Sequence, residues 1–162
     1  MKIFDAHLHL DSEIDGTALG GASALNESLH KASISKGLVL HLEVQPWSAE
    51  EFSTAIDKCD RLEAMINIDP KAHDANDQLS RGIEVLGYVG LKLHPRLQDF
   101  SPDDPDVVAL VRHAGKLGVP VLIDAFADGT ALMMGFNPLS FAKLASLAPD
   151  TRIIWAHMGG QF

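Results

Sequence analysis

Short apolar runs alternate along the whole chain with segments of helical period. The first run, Lys2–Leu10, reads as a strand. Residues two apart on a strand share a face, so Asp5, His7 and His9 project together while Phe4, Ala6, Leu8 and Leu10 turn the other way. Ser12–Gly21 is polar and glycine-containing and reads as a loop. Leu25, Leu29 and Ala32 then mark one face of a helix from about Ala22 to Ser35, stopped by Gly37. Gly37–Val44 is the second strand, ended by Pro46. Ser48 and Glu51 have the spacing of a capping box, and Phe52, Ala55, Ile56, Cys59 and Leu62 follow at helical spacing. Cys59 lies in that apolar stripe and is expected to be a packing residue.

The alternation continues. Glu63–Ile68 is a third strand ended by Asp69-Pro70, and a helix carrying Leu79, Ile83 and Leu86 stops at Gly87. Tyr88–Pro95 is a fourth strand, with Leu91 and Leu93 on one face and Lys92 and His94 on the other. Ser101-Pro102 is expected to open a helix whose first turn is acidic and whose buried face is Val107, Leu110, Val111, Ala114 and Leu117. Val119–Phe126 is a fifth strand with Asp124 near its end. Asn137-Pro138 starts a helix through Leu139, Ala142, Leu144 and Ala145, and Arg152–His157 is a sixth strand. Six strands and five helices at a spacing of roughly 30 residues repeat the βαβ unit. The predicted class is therefore α/β, a parallel sheet wrapped by helices within a single domain over residues 1–162.

Composition narrows the function. An apolar fraction of 46% and a charged fraction of 22% are ordinary for a globular protein. The net charge of −9, with no basic run, argues against a nucleic-acid partner. No apolar run approaches the roughly 20 residues that span a bilayer, so a membrane partner is not expected. A single cysteine allows no internal disulfide, which fits a reducing compartment, and the expected location is cytoplasmic.

Parallel sheets carry their chemistry at the carboxyl ends of the strands. Those ends hold His7 and His9, His41 and Glu43, Asp69, Lys92 and His94, Asp124, and His157. Two imidazoles side by side at the end of a buried strand make half of a site for zinc or a similar divalent ion.

Five stretches in collinear order carry a family resemblance: Asp5-Ala6-His7-Leu8-His9, Asn67-Ile68-Asp69-Pro70, Gly90-Leu91-Lys92-Leu93-His94-Pro95, Gly118-Val119-Pro120-Val121-Leu122-Ile123 and Ala156-His157-Met158-Gly159-Gly160. With them the chain resembles the amidohydrolase superfamily, in its type 2 branch of TIM-barrel metal-dependent hydrolases and decarboxylases. The resemblance implies a (β/α)₈ barrel and one divalent ion, zinc first and manganese second. His7 and His9 would be ligands, with Asp124 third. His157 would be the catalytic group, hydrogen-bonding the metal-bound water or the substrate oxygen rather than ligating, and Lys92 and His94 would orient the substrate. The alternative for Lys92 is a buried amine paired with Asp5 or Asp124. His41 and Glu43 have no fixed role in the family pattern.

Two departures stand out. Asp124 occupies the place where the family has a histidine, and the family's proton-accepting Asp on the eighth strand has no counterpart before Phe162. A full barrel takes about 250 residues, so the chain is expected to be an incomplete barrel. It would be part of a longer enzyme, a shortened product folding as an open sheet, or a partial barrel completed by another chain. Open strand edges would favour a homo-oligomer. The implied reaction is hydrolysis of a lactone, amide or ester bond in a small-molecule substrate. Decarboxylation of a carboxylated ring is the alternative, and a non-catalytic binding or oligomerising module is the third reading. The loop Ala127–Phe136, with two Met and two large apolar residues, is expected to cover the mouth and favour an apolar or ring-bearing ligand.

Overall fold

The computed structural model describes residues 2–14, 16–126 and 137–159. The chain forms two compact units, Met1–Asn67 with Arg81–Val89, and Ile68–Ser80 with Gly90–Phe162.

The first unit holds strands β1 (Phe4–Leu8), β2 (Lys36–Leu40) and β3 (Leu62–Asn67) and helices α1 (Ala18–Lys31) and α2 (Ala49–Ile56). β2 pairs in parallel with β1 on one edge and β3 on the other. The predicted capping box at α2 forms in full: the Glu51 amide donates to the Ser48 hydroxyl and the Ser48 amide to the Glu51 carboxylate. Phe52, Ala55 and Ile56 are buried beneath it. Cys59 is buried too, and its surroundings push the thiol pKa up, as suits a packing residue.

Two boundaries in this unit differ from expectation. α1 starts at Ala18 rather than Ala22, because Thr17 caps it by accepting from the Gly20 amide at 3.0 Å. Gly20 and Gly21 sit inside the first turns, and a Cβ on Gly21 would lie 3.1 Å from the Asp11 carbonyl. β2 ends at Leu40, not Val44. Beyond His41 the ladder is replaced by side chains: the Leu42 amide donates to Gln45 and the Glu43 amide to Asn67.

The second unit holds β4 (Leu91–Leu93), α4 (Pro95–Gln98), α5 (Pro105–Lys116), β5 (Val121–Ile123), α6 (Pro138–Leu147) and β6 (Ile153–Trp155), ending in a 3₁₀ turn over Ala156–Gly159. β5 pairs in parallel with β4 and with β6. Leu91, Leu93, Val107, Val111, Ala114, Val121, Ile123 and Leu144 are fully buried between strands and helices. Helix α3 (Ala75–Glu84) joins the two stretches of sequence.

The strands here are shorter than predicted, and α4 was not predicted at all. Pro95 has no N–H to extend β4, and it becomes the first residue of α4. α5 starts at Pro105 instead of Pro102, because Ser101 is held in a turn by Asp103 and Asp104. Among the described residues no helix is long and apolar enough to cross a membrane.

α5 lies so close to the approach of β6 that a Cβ on Gly115 would collide with the Thr151 hydroxyl and lie 3.3 Å from its Cβ. Thr151 cannot swing aside without losing its bond to the Val111 carbonyl at 3.0 Å. Gly115→Val is therefore expected to cost about 1–3 kcal/mol of stability, read from urea unfolding. An unchanged midpoint would show that this contact yields freely.

Candidate active site

At the end of β1, the rings of His7 and His9 stand edge to face with centroids 5.3 Å apart. The amide of His7 is turned toward the Asp5 carboxylate at 3.2 Å. Nδ1 of His9 lies 3.2 Å from the Leu40 carbonyl, which can only accept. The ring proton is thereby fixed on Nδ1 and the lone pair on Nε2, the arrangement that prepares an imidazole to hold a metal ion. The predicted pair is thus brought together. His41, on the next strand, is a core residue: it is buried, packs 5.0 Å from Phe52, and desolvation lowers its pKa.

The second unit gathers Lys92, His94, Asp124 and His157 around one buried carboxylate. Asp124 is only 2% exposed. Its Oδ1 accepts from Nε2 of His157 at 2.9 Å, and its Oδ2 from Nη2 and Nε of Arg96 at 3.2 and 3.3 Å. Nε2 of His94 stands 3.6 Å from Oδ2, beyond hydrogen-bond length. Burial lowers the pKa of His94 to about 4, with Asp124 opposing and the Lys92 and Arg96 charges adding, so the ring is neutral at pH 7. Its Nδ1 caps α4 by accepting from the Leu97 amide at 3.4 Å, which puts the proton on Nε2.

Lys92 is buried and its pKa falls to about 8, chiefly by desolvation, against the pull of Asp124. The buried-amine reading of Lys92 and the site reading coincide here, since its countercharge belongs to the cluster. His157 reaches Asp124 through a left-handed backbone, φ 56°, at the start of the 3₁₀ turn. The sequence placed it on a strand.

Arg96 is the group that sequence reasoning missed. It comes from α4, and its guanidinium also lies 5.3 Å from the Phe126 ring centre. An arginine directly after a strand-terminating His-Pro was the available signal. Among the described residues no three His, Cys, Asp or Glu are grouped as a complete metal ligand set. The loop Ala127–Phe136 lies outside the described residues.

The comparisons with known proteins agree with the fold. The amidohydrolase family profile matches residues 5–161, and the chain belongs to that family. No curated protein matches the sequence. Among solved structures, an uncharacterised TIM-barrel protein of Bordetella bronchiseptica is 16% identical, with a TM-score of 0.73 over 94% of this chain and 66% of that one. A probable 2-pyrone-4,6-dicarboxylic acid hydrolase of Acinetobacter baumannii, with citric acid bound, is 15% identical, with a TM-score of 0.61 over 96% of this chain and 69% of that one. A 5-carboxyvanillate decarboxylase of Novosphingobium aromaticivorans, with bound manganese, is 15% identical, with a TM-score of 0.68 over 98% and 66%. The chain thus has an α/β fold of the TIM-barrel type and spans about two thirds of the length of these structures.

Lys92 gives the cluster a measurable stability signature. Its folded pKa of about 8 lies below the ordinary lysine value of 10.5. Between those pH values the unfolded chain holds a proton that the folded chain has shed, so stability rises with pH across that window. Lys92→Met should therefore be more stable than wild type at pH 7, by up to about 3 kcal/mol. The advantage should shrink as pH rises from 8 toward 10.5. Urea unfolding at pH 7 and pH 10 reads both. A destabilised Met variant at pH 7 would show that attraction to Asp124 outweighs desolvation.

Proposed function

We propose that this chain provides the metal-binding and substrate-orienting groups of a metal-dependent hydrolase that opens a lactone, amide or ester bond in a small, carboxylate-bearing substrate. The observation that carries the metal half is the imidazole pair, with the His9 tautomer set by the Leu40 carbonyl. Two imidazoles side by side suit zinc or manganese. His7 and His9 would hold the ion, while both oxygens of Asp124 are engaged by His157 and Arg96. A divalent ion supplies Lewis-acid polarisation of the carbonyl and acidifies water toward a pKa of about 7.

The chain's own residues do the rest. Asp124 accepts from Nε2 of His157, which places the ring's lone pair on Nδ1. His157 takes a proton at Nδ1 as the water oxygen bonds to the carbonyl carbon. Asp124 stabilises the imidazolium, and the proton passes to the leaving oxygen or nitrogen as its bond to carbon breaks. Lys92 and Arg96 bring two cations against the one carboxylate of Asp124, with His94 neutral. That excess of positive charge favours a substrate carboxylate, which Lys92 and His94 would orient.

The same excess supports a second reading, decarboxylation, in which the anchored carboxylate is the group lost. The manganese-bound relative is a decarboxylase, and the probable dicarboxylic acid hydrolase stands on the other side. Turnover of carboxylated lactones and of carboxylated phenols separates the two, by ring-opened product against carbon dioxide.

Metal binding is tested first. Wild type equilibrated with zinc or manganese and then dialysed should retain one ion per chain, and His7→Ala/His9→Ala should retain none. Equal metal content in wild type and the double variant would contradict the assignment.

A further inference from the structure

Two glutamines, one in each unit, make the same pair of hydrogen bonds at the end of a strand. In the first unit, Gln45 Oε1 accepts from the Leu42 amide at 2.9 Å while its Nε2 donates to the Leu10 carbonyl at 3.3 Å. In the second, Gln98 Oε1 accepts from the His94 amide at 2.9 Å while its Nε2 donates to the Ile68 carbonyl at 2.8 Å. Each follows an even-numbered strand. Each binds the N–H just past that strand and the carbonyl just past the strand before it. Glutamine suits the task because one planar group both accepts and donates at full reach, whereas glutamate accepts only.

We propose that Gln45 and Gln98 are positioning residues, amide clamps that fix the strand ends carrying His9 and His94. The first clamp closes a small ring. Leu10 follows His9, and Leu42 lies two residues beyond Leu40, whose carbonyl holds Nδ1 of His9. The imidazole bond is the inner tie between the two chain segments and the amide is the outer one. Without the outer tie the segments are able to part, and the His9 ring loses its fixed tautomer. The second clamp holds a four-residue helix, α4, too short to persist alone. Gln98 grips the His94 amide from α4, while the Leu97 amide from the same turn donates to the His94 ring. Arg96 rides on that turn and reaches Asp124. The functional weight of the clamps rests on the proposed site, but their geometry does not.

The test uses nitrogen-15 NMR of the imidazoles together with amide hydrogen exchange, at a fixed pH of 7.5. In wild type the Leu42 and His94 amides should exchange slowly although both lie outside strands. His9 should show its proton on Nδ1, and His94 on Nε2. Gln45→Met should move His9 toward a tautomer mixture and leave His94 unchanged, and Gln98→Met should do the reverse. Gln45→Glu and Gln98→Glu keep the acceptor but lose the donor, and should give the same ring shifts in a folded protein. Zinc affinity should drop about tenfold in the Gln45 variants. Ring tautomers that stay as in wild type in all four folded variants would overturn the proposal. So would wild-type Leu42 and His94 amides exchanging at open-loop rates, an outcome that needs no variant. Wild type that binds no zinc but shows the predicted tautomers would sink the metal reading and leave the clamps standing.

Discussion

A parallel strand stops when its backbone N–H and C=O groups run out of ladder partners, and those groups must still be satisfied. The carboxyl ends of the strands in both units show how this chain meets that constraint. The Glu43 amide turns to Asn67, the Lys71 amide to Asp69, and the Leu42 and His94 amides to the two glutamines. The Leu40 carbonyl accepts a hydrogen bond from Nδ1 of His9, and the Ile68 carbonyl one from Nε2 of Gln98. The side chains that end the ladder are therefore the ones that aim the candidate site. Polar residues cluster there because the backbone needs them, and chemistry is built on groups already held in place.

Asp124 is the costliest member of this arrangement. A carboxylate 2% exposed is tolerable only with partners, and it has Arg96 and His157 in direct contact with His94 and Lys92 nearby. Lys92 and His94 are themselves destabilised in their charged forms by burial. A cluster assembled for stability alone would not bury an amine and an imidazole that resist protonation. Groups held away from their ordinary pKa values in one place are characteristic of functional sites.

The fold was largely legible in the sequence because α/β alternation writes itself in periodicity. The capping box at Ser48, the buried stripe of Phe52, Ala55 and Ile56, and all six strands appear where the pattern put them. The errors have physical causes. Gly20 and Gly21 hid the first turn of α1, which Thr17 caps. The expected strands are longer than the observed ones because apolar residues continue beyond the ladder, as at Leu42 after β2 and Tyr88 before β4. The imidazole pair and the grouping of Lys92, His94, Asp124 and His157 followed from strand period and strand ends. Arg96 did not, since it depends on a four-residue helix set by Pro95 and the His94 cap, below the length that periodicity detects. Nor did the left-handed turn at His157, where the ring's direction is a matter of one backbone angle.

The most direct test of the site is anomalous diffraction at the zinc edge from crystals of this chain grown with zinc. The tautomer imposed on His9 by the Leu40 carbonyl makes Nε2 the ligating nitrogen. The account predicts a single strong peak at about 2.0–2.1 Å from Nε2 of His9, shared with His7. A peak bound through Nδ1 of His9 with the Leu40 bond broken, or zinc held elsewhere while the His7 and His9 pair stays bare, would contradict it.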